Sequence, residues 1–310
     1  MPSLLLATLA MALLPGDASA LLDPSGDLVG PDDGGYRIIP SSVDGGPEYV
    51  WEDISQVGVN LLSQAEGDDL DESTHVLSMP FPFEFYGTEV DSVHVSVNGV
   101  VHFNDIGREF QWNSMKCMPT DFDDRLPQEG IVAALWADLA ADPRVGSGMF
   151  YTVRGTQPNR RMILQWHNMR DLESSSGYVS FQSVFYEGSG DVRLHYKDTE
   201  VQYLGSTVHT RAYIGVQGDP DLDEGISYLC NSRELEDEVS LLLTQRWDED
   251  GDGSEFLEDC NDDAPTVYPG AEELCDEADN DCDGTVDEGA EGIPFYPDGD
   301  GDGFGSGQSI

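Results

Sequence analysis

The chain has 310 residues, 61 acidic side chains against 14 basic ones, and a formal net charge of -47. Such a charge excludes nucleic acid as a partner, because phosphate backbones are held by Lys and Arg. It argues equally against direct attraction to anionic lipid.

The chain opens with an apolar run, Leu4 to Leu14, followed by Pro15-Gly16 and Ala18-Ser19-Ala20. That order predicts a secretory signal peptide over 1–20, cleaved after Ala20, although no Lys or Arg precedes the apolar run. No Cys follows the cleavage site, so a lipoprotein anchor is not indicated. No later segment approaches the ~20 apolar residues of a membrane span. The expected product is secreted, extracellular or held at the cell surface, where disulfides are permitted. Residues 21–47, rich in Pro, Gly and Asp, read as an N-terminal linker.

From residue 48 to 246, short β-rich runs alternate with turn residues. They are Val93–Val97, Val100–Phe103, Ile131–Leu135, Met149–Val153, Met162–Trp166, Tyr178–Tyr186, Val192–Tyr196 and Ala212–Val216. Asn98-Gly99 between two Val-rich runs predicts a two-residue hairpin turn, since both central residues need positive φ. Strands without intervening helices favour an antiparallel β-sandwich. Phe81, Phe83 and Phe85 alternate and so share a strand face, read as core along with Trp136 and Trp166.

The order of several pieces carries a resemblance. They are Tyr49-Val-Trp51, Met79-Pro-Phe-Pro-Phe83, Val95-Ser-Val-Asn-Gly99, Ile131-Val-Ala-Ala-Leu-Trp136, Asn159-Arg-Arg-Met-Ile-Leu-Gln-Trp166 and Asp191-Val-Arg-Leu-His-Tyr196. Residues 48–230 resemble the nidogen-type extracellular β domain and its bacterial relatives. The resemblance implies an adhesive or structural role and transfers no catalytic residue.

Familiar enzyme motifs are missing from the sequence. The six histidines form no His-Glu-x-x-His, and no Gly-x-Ser-x-Gly elbow occurs. With a two-residue turn, His94 pairs with Phe103 and His102 with Val95, which sends the two imidazoles to opposite faces and argues against a two-His metal site. Asp121, Asp123 and Asp124 form an acidic loop whose carboxylate spacing is not visible in sequence.

From Trp247 onward there are 22 Asp and Glu and no Lys or Arg, which marks a boundary near Arg246. Residues 247–291 read as an acidic metal-binding repeat. Asp248, Asp250 and Asp252 fill positions one, three and five of a calcium loop, Gly253 the turn, Ser254 the seventh place and Asp259 the twelfth. Calcium takes six to eight oxygens, and alternate acids on a tight turn converge on it. Asp259 is a methylene shorter than the usual Glu, and Phe256 at the ninth place offers no side-chain ligand. Pro265 and Pro269 preclude a regular second helix nearby. A second loop places Asp279, Asp281, Asp283, Thr285 and Asp287 at positions one, three, five, seven and nine. Its twelfth place is Ala290, so Glu288 or Glu291 must close the shell. A third begins at Asp298, Asp300 and Asp302, within residues 292–310, read as the start of a second, truncated repeat.

The unit resembles the bacterial metal-binding repeat of the MopE type. The residues that carry it are Asp250-Gly-Asp-Gly253, Asp259-Cys260, Asp262-Asp263, Tyr268-Pro-Gly-Ala271, Glu273-Leu-Cys-Asp276, Asp279-Asn-Asp-Cys-Asp-Gly284 and Asp287-Glu288. Asn261 and Glu277 depart from its usual Asp and Gly. Copper appears in the family label, but oxygen ligands suit calcium, and 247–288 hold no His or Met. Five cysteines leave one thiol over, and Cys275–Cys282 is the easiest short pairing.

The expected fold is therefore all-β: an antiparallel β-sandwich followed by an irregular, disulfide-stapled, calcium-loop repeat. The expected function is a calcium-binding structural or adhesion protein with no catalysis of its own. Its partners are divalent cations and an extracellular protein or polysaccharide surface. The alternatives are a copper-binding secreted protein and the accessory region of a larger secreted hydrolase.

Overall fold

A computed structural model describes residues 29–43, 46–104, 117–118, 130–248, 250–255, 259–261, 264–276 and 278–289. The leader, the acids Asp121, Asp123, Asp124, Asp262 and Asp263, Glu291, and the loop at Asp298, Asp300 and Asp302 lie outside these. Among the described residues there is no α-helix, and every strand pairing is antiparallel.

Two sheets face one another. The larger has ten strands, running in spatial order Arg37–Pro40, Val239–Thr244, Val192–Asp198, Ser176–Tyr186, Arg161–Asp171, Gly148–Arg154 and Val59–Asn60, with three short strands at its margin. The smaller has six: Gly225–Ser232, Ala212–Gln217, Ile131–Trp136, Val100–His102, Ser92–Ser96 and Thr74–Ser78.

Period-two patterning explains the core between them. Met162, Leu164 and Trp166 point inward from one strand, and Val192, Leu194 and Tyr196 from another. They meet Val93, Val95, Val101, Val132 and Ala134 from the smaller sheet. Phe81, Phe83 and Phe85 are buried in this core while Pro82 and Glu84 are exposed, as the alternation requires. Ile131–Trp136 is buried at every position because its outer face is covered too, by Met118 and Tyr213. Cys117–Cys230 ties Met118's segment to the Gly225–Ser232 edge strand.

Two aromatic side chains cross the sandwich. The Trp166 indole N–H donates to the Ser96 carbonyl at 2.9 Å, and the Tyr196 hydroxyl donates to the Ala134 carbonyl at 2.5 Å. Both donors stand on the larger sheet and both acceptors on the smaller. Trp166 also stacks on Phe181, with centroids 4.8 Å apart.

Two readings of the sequence need correction. The segment 21–47 is not wholly a linker: Arg37–Pro40 pairs with Val239–Thr244, from Arg37 opposite Thr244 to Pro40 opposite Leu241. Four residues ending in Pro40 are too short to show alternation, yet Ile38 and Ile39 are buried. The second concerns Asn98-Gly99. The connection has three residues, Val97–Gly99, and the register is His94 opposite His102 and Val95 opposite Val101. The turn is not a solvent-exposed tip. The Asn98 Oδ1 accepts from the Leu139 amide at 2.8 Å, and the Gly99 carbonyl accepts from the Ala134 amide at 3.0 Å. These contacts, with the Val97 amide donating to the Ser73 carbonyl, draw the turn into the protein and add the extra residue. The two imidazoles therefore share a face and stack, centroids 4.8 Å apart. The opposite-face premise is overturned. Among the described residues, no third ligand-bearing side chain joins the pair.

Candidate metal centre

The acidic segment leaves the sandwich at Thr244. The Arg246 guanidinium pairs with Glu255 at 2.9 Å, and the Arg37 guanidinium lies over the Trp247 ring, 5.4 Å from its centroid. These contacts flank the first loop and pin both its limbs.

Within that loop, one carboxylate oxygen each from Asp248, Asp250 and Asp252 lies within 4.8 Å of the others. Local hydrogen bonds fix this convergence. The Asp248 carboxylate accepts from the Gly251 amide at 2.7 Å and from the Gly253 amide at 2.9 Å. Asp250 Oδ1 accepts from the Asp252 amide, and Asp252 Oδ1 from the Ser254 amide. Gly253 has a φ of 102°, open to glycine and strained for other residues. Asp248 thus spends both oxygens on the backbone, whereas Asp250 and Asp252 each spend one and keep the other without a hydrogen bond. Asp250 Oδ2, Asp252 Oδ2 and Asp259 Oδ2 are buried and have no hydrogen-bond partner. Buried oxygens of this kind are costly unless something binds them. Burial, and then the charges of Asp252, Asp259 and Asp248, push the Asp250 carboxyl above its ordinary range.

The second loop repeats the design. Asp279, Asp281 and Asp283 form a three-oxygen group within 4.8 Å. Asp279 Oδ2 accepts from the Gly284 amide at 2.9 Å, as Asp248 does from Gly253. The Thr285 amide donates to Asp283 Oδ1 at 2.9 Å, as Ser254 does to Asp252. Asp279 Oδ1 and Glu288 Oε2 are buried without a partner. Glu288 is therefore placed to close the shell. Its own backbone amide lowers its carboxyl, but burial and the charges of Asp283, Glu273 and Asp281 outweigh this and raise it. Asp287 joins neither group: its Oδ1 accepts from the Asp276 amide at 3.1 Å.

The loops are fused covalently. The disulfide is Cys260–Cys282, with Cys275 a free, exposed thiol, which corrects the short pairing Cys275–Cys282. Short sequence separation favours a small ring, but tertiary placement decides. The Cys260 amide already donates to Cys282 Sγ at 3.3 Å, and Cys260 directly follows Asp259. Both sulfurs near Asp259 are thus oxidised and unfit as thiolate ligands.

Two residues outside the loop template organise the second site. Asn280 is fully buried; its Oδ1 accepts from the Leu274 amide, and its Nδ2 donates to the Thr266 carbonyl. Glu273 lies six residues before the loop and within 4.8 Å of Asp281 and Glu288 oxygens. The twelve-residue template contains no place for it; only the longer repeat motif includes it.

Two comparisons with protein families match. The family described as NIDO related matches residues 48–240, more than half the chain. A metal-binding motif, Cu-binding_MopE, matches residues 259–288. No curated protein and no solved structure matches the chain. No helix among the described residues is long and apolar enough to cross a membrane. Two disulfides and this domain type fit an extracellular metal-binding structural protein. The chain belongs to the NIDO-related family, and a metal-binding motif follows its β-sandwich.

Proposed function

We propose that this is a secreted or cell-surface calcium-binding structural and adhesion protein, without catalytic activity of its own. The observation that carries the reading is the set of inward-facing carboxylate oxygens: Asp250 Oδ2, Asp252 Oδ2 and Asp259 Oδ2 in one loop, Asp279 Oδ1 and Glu288 Oε2 in the other. A hard divalent cation satisfies such oxygens, and calcium tolerates the irregular geometry that magnesium resists. With Cys260 and Cys282 oxidised and no His or Met in 247–288, soft ligands for copper reduce to the Cys275 thiol. Calcium would supply charge neutralisation, and this would turn binding energy into order in the repeat. Residues Asp248, Asp250, Asp252, the Ser254 carbonyl and Asp259 would hold one ion. Asp279, Asp281, Asp283, the Thr285 carbonyl and Glu288 would hold another. The ordered repeat would act as a spacer holding the sandwich toward an extracellular protein or polysaccharide surface.

The test is calorimetric calcium titration of the full chain, with circular dichroism before and after chelation. Calcium binding with Kd near the extracellular class, ~10⁻⁴–10⁻³ M, and a changed spectrum on chelation are expected. An unchanged spectrum, or stoichiometric copper retained against a calcium chelator, overturns the reading.

A further inference from the structure

We infer that Glu273 is the positioning residue of the second ion site. It lies outside the loop and ties the loop's entry and exit limbs together, leaving Glu288 to close the shell. This inference rests on the calcium reading above.

The loop from Asp279 has Ala290 at its twelfth place, so the residue that normally folds the exit limb back onto the entry limb is missing. Glu273 spans both limbs instead. Its Oε1 accepts from the amides of Asn280 at 2.8 Å and Asp281 at 3.0 Å, on the entry limb. Its Oε2 accepts from the Asp287 amide at 2.8 Å, on the exit limb. One carboxylate therefore holds three backbone N–H groups from two separated stretches. Charge-assisted bonds of this kind are the stronger class. The residues so anchored directly precede or carry ion-facing oxygens: Asp281 itself, and Glu288 after Asp287.

The same carboxylate lies within 4.8 Å of the oxygens of Asp281 and Glu288. Three like charges at that spacing repel unless a cation stands among them. Glu273 thus draws the limbs together by hydrogen bonding and, in doing so, assembles a charge that a cation relieves. Asn280 completes the arrangement, because its buried side chain fixes the Leu274 amide beside Glu273.

The first loop gives an internal control, since no Glu273 contact reaches it among the described residues. Gly253 and Gly284 are equivalent reporters: each amide donates to the first acid of its own loop. Calcium titration of the full, glycine-labelled chain, followed by amide NMR, reads each loop separately. In Glu273→Gln the midpoint at Gly284 should rise about 10–100-fold while that at Gly253 stays within about twofold, the usual cost of removing a group that orients ligands. Glu273→Asp keeps the charge but shortens the reach, and should show the same selective weakening. An unchanged Gly284 midpoint in Glu273→Gln overturns the inference. So does a parent-like Glu273→Asp, which would mean that charge alone matters. Equal weakening at both glycines also overturns it, assigning Glu273 to folding of the repeat. Absence of calcium-dependent movement at both glycines in the unsubstituted chain removes the calcium reading itself, which keeps the two failures apart.

Discussion

Replacing Asp252 by Asn should move calcium affinity and ion-free order in opposite directions. Asn keeps the Oδ1 that accepts from the Ser254 amide, so the loop's local geometry has no reason to change. What changes is charge at the buried, unpartnered Oδ2. In the ion-free loop, Asp252 faces two other carboxylates with oxygens within 4.8 Å. At that separation each pair repels by about 0.9 kcal/mol even at the dielectric of water, so losing both relieves about 2 kcal/mol. In the loaded loop, a divalent ion about 2.4 Å from the oxygen attracts it by about 3.5 kcal/mol on the same scale. The carboxylate repulsion is present with and without the ion and cancels from the binding difference, so the lost attraction of about 3.5 kcal/mol weakens binding by roughly two to three orders of magnitude. Calorimetry should show that loss. Hydrogen exchange at the Ser254 amide in excess chelator should slow by about an order of magnitude. Faster exchange in chelator, together with weaker binding, would refute the reasoning. It would mean that the carboxylates serve the loop only as backbone acceptors.

Two further outcomes follow from the sandwich. Gly99→Ala places a Cβ 2.0 Å from the Leu135 carbonyl oxygen at a φ of +77°, so denaturant unfolding should show a loss of at least about 3 kcal/mol; a loss under 1 kcal/mol would contradict the buried turn. Burial raises the Asp32 carboxyl from 3.8 to about 6, against the lowering effect of the Tyr86 hydroxyl hydrogen bond. Its protonated form is favoured by folding, so its contribution is full below pH 4 and is lost as pH rises through 6. Asp32→Asn should match the parent in stability near pH 4 and exceed it by up to about 3 kcal/mol near pH 7, read by thermal unfolding at fixed calcium. A difference that does not vary between those pH values would refute this.

Long alternating runs made most of the sandwich legible. All eight runs named from the sequence fall on strands; most show the period-two recurrence of a face turned to the main core, and Ile131–Leu135 is apolar throughout because both of its faces are covered. Strands such as Arg37–Pro40 and Thr74–Ser78 escaped because they are short, and much of their side-chain surface is decided by neighbours distant in sequence. The hairpin register failed for a related reason. Asn-Gly chemistry favours a two-residue turn, but Asn98 bonds to Leu139, a contact 41 residues away that no local rule contains. At the candidate metal centre the spacing of acids marked the two stretches whose carboxylates the structure groups within 4.8 Å, since Asp-x-Asp-x-Asp-Gly is a local geometric device. It did not show the roles of Glu273 and Asn280, which act across 6 to 14 residues through backbone amides and, for Asn280, the Thr266 carbonyl. Nor did it show the Cys260–Cys282 link, whose partners meet only once both loops have turned.

The two donors that cross the sandwich have a mechanical consequence. Facing layers of Val, Leu and Ile resist separation strongly but resist sliding weakly, because dispersion contacts are exchanged for similar ones as one layer moves over the other. The Trp166 and Tyr196 bonds are directional, and a slip of one residue along a strand, about 3.3 Å, would break both at once. They act as dowels between two smooth boards. Aliphatic exchanges in the core should then leave the alignment of the layers intact, whereas a tug on the acidic segment would be resisted in shear chiefly at these two points.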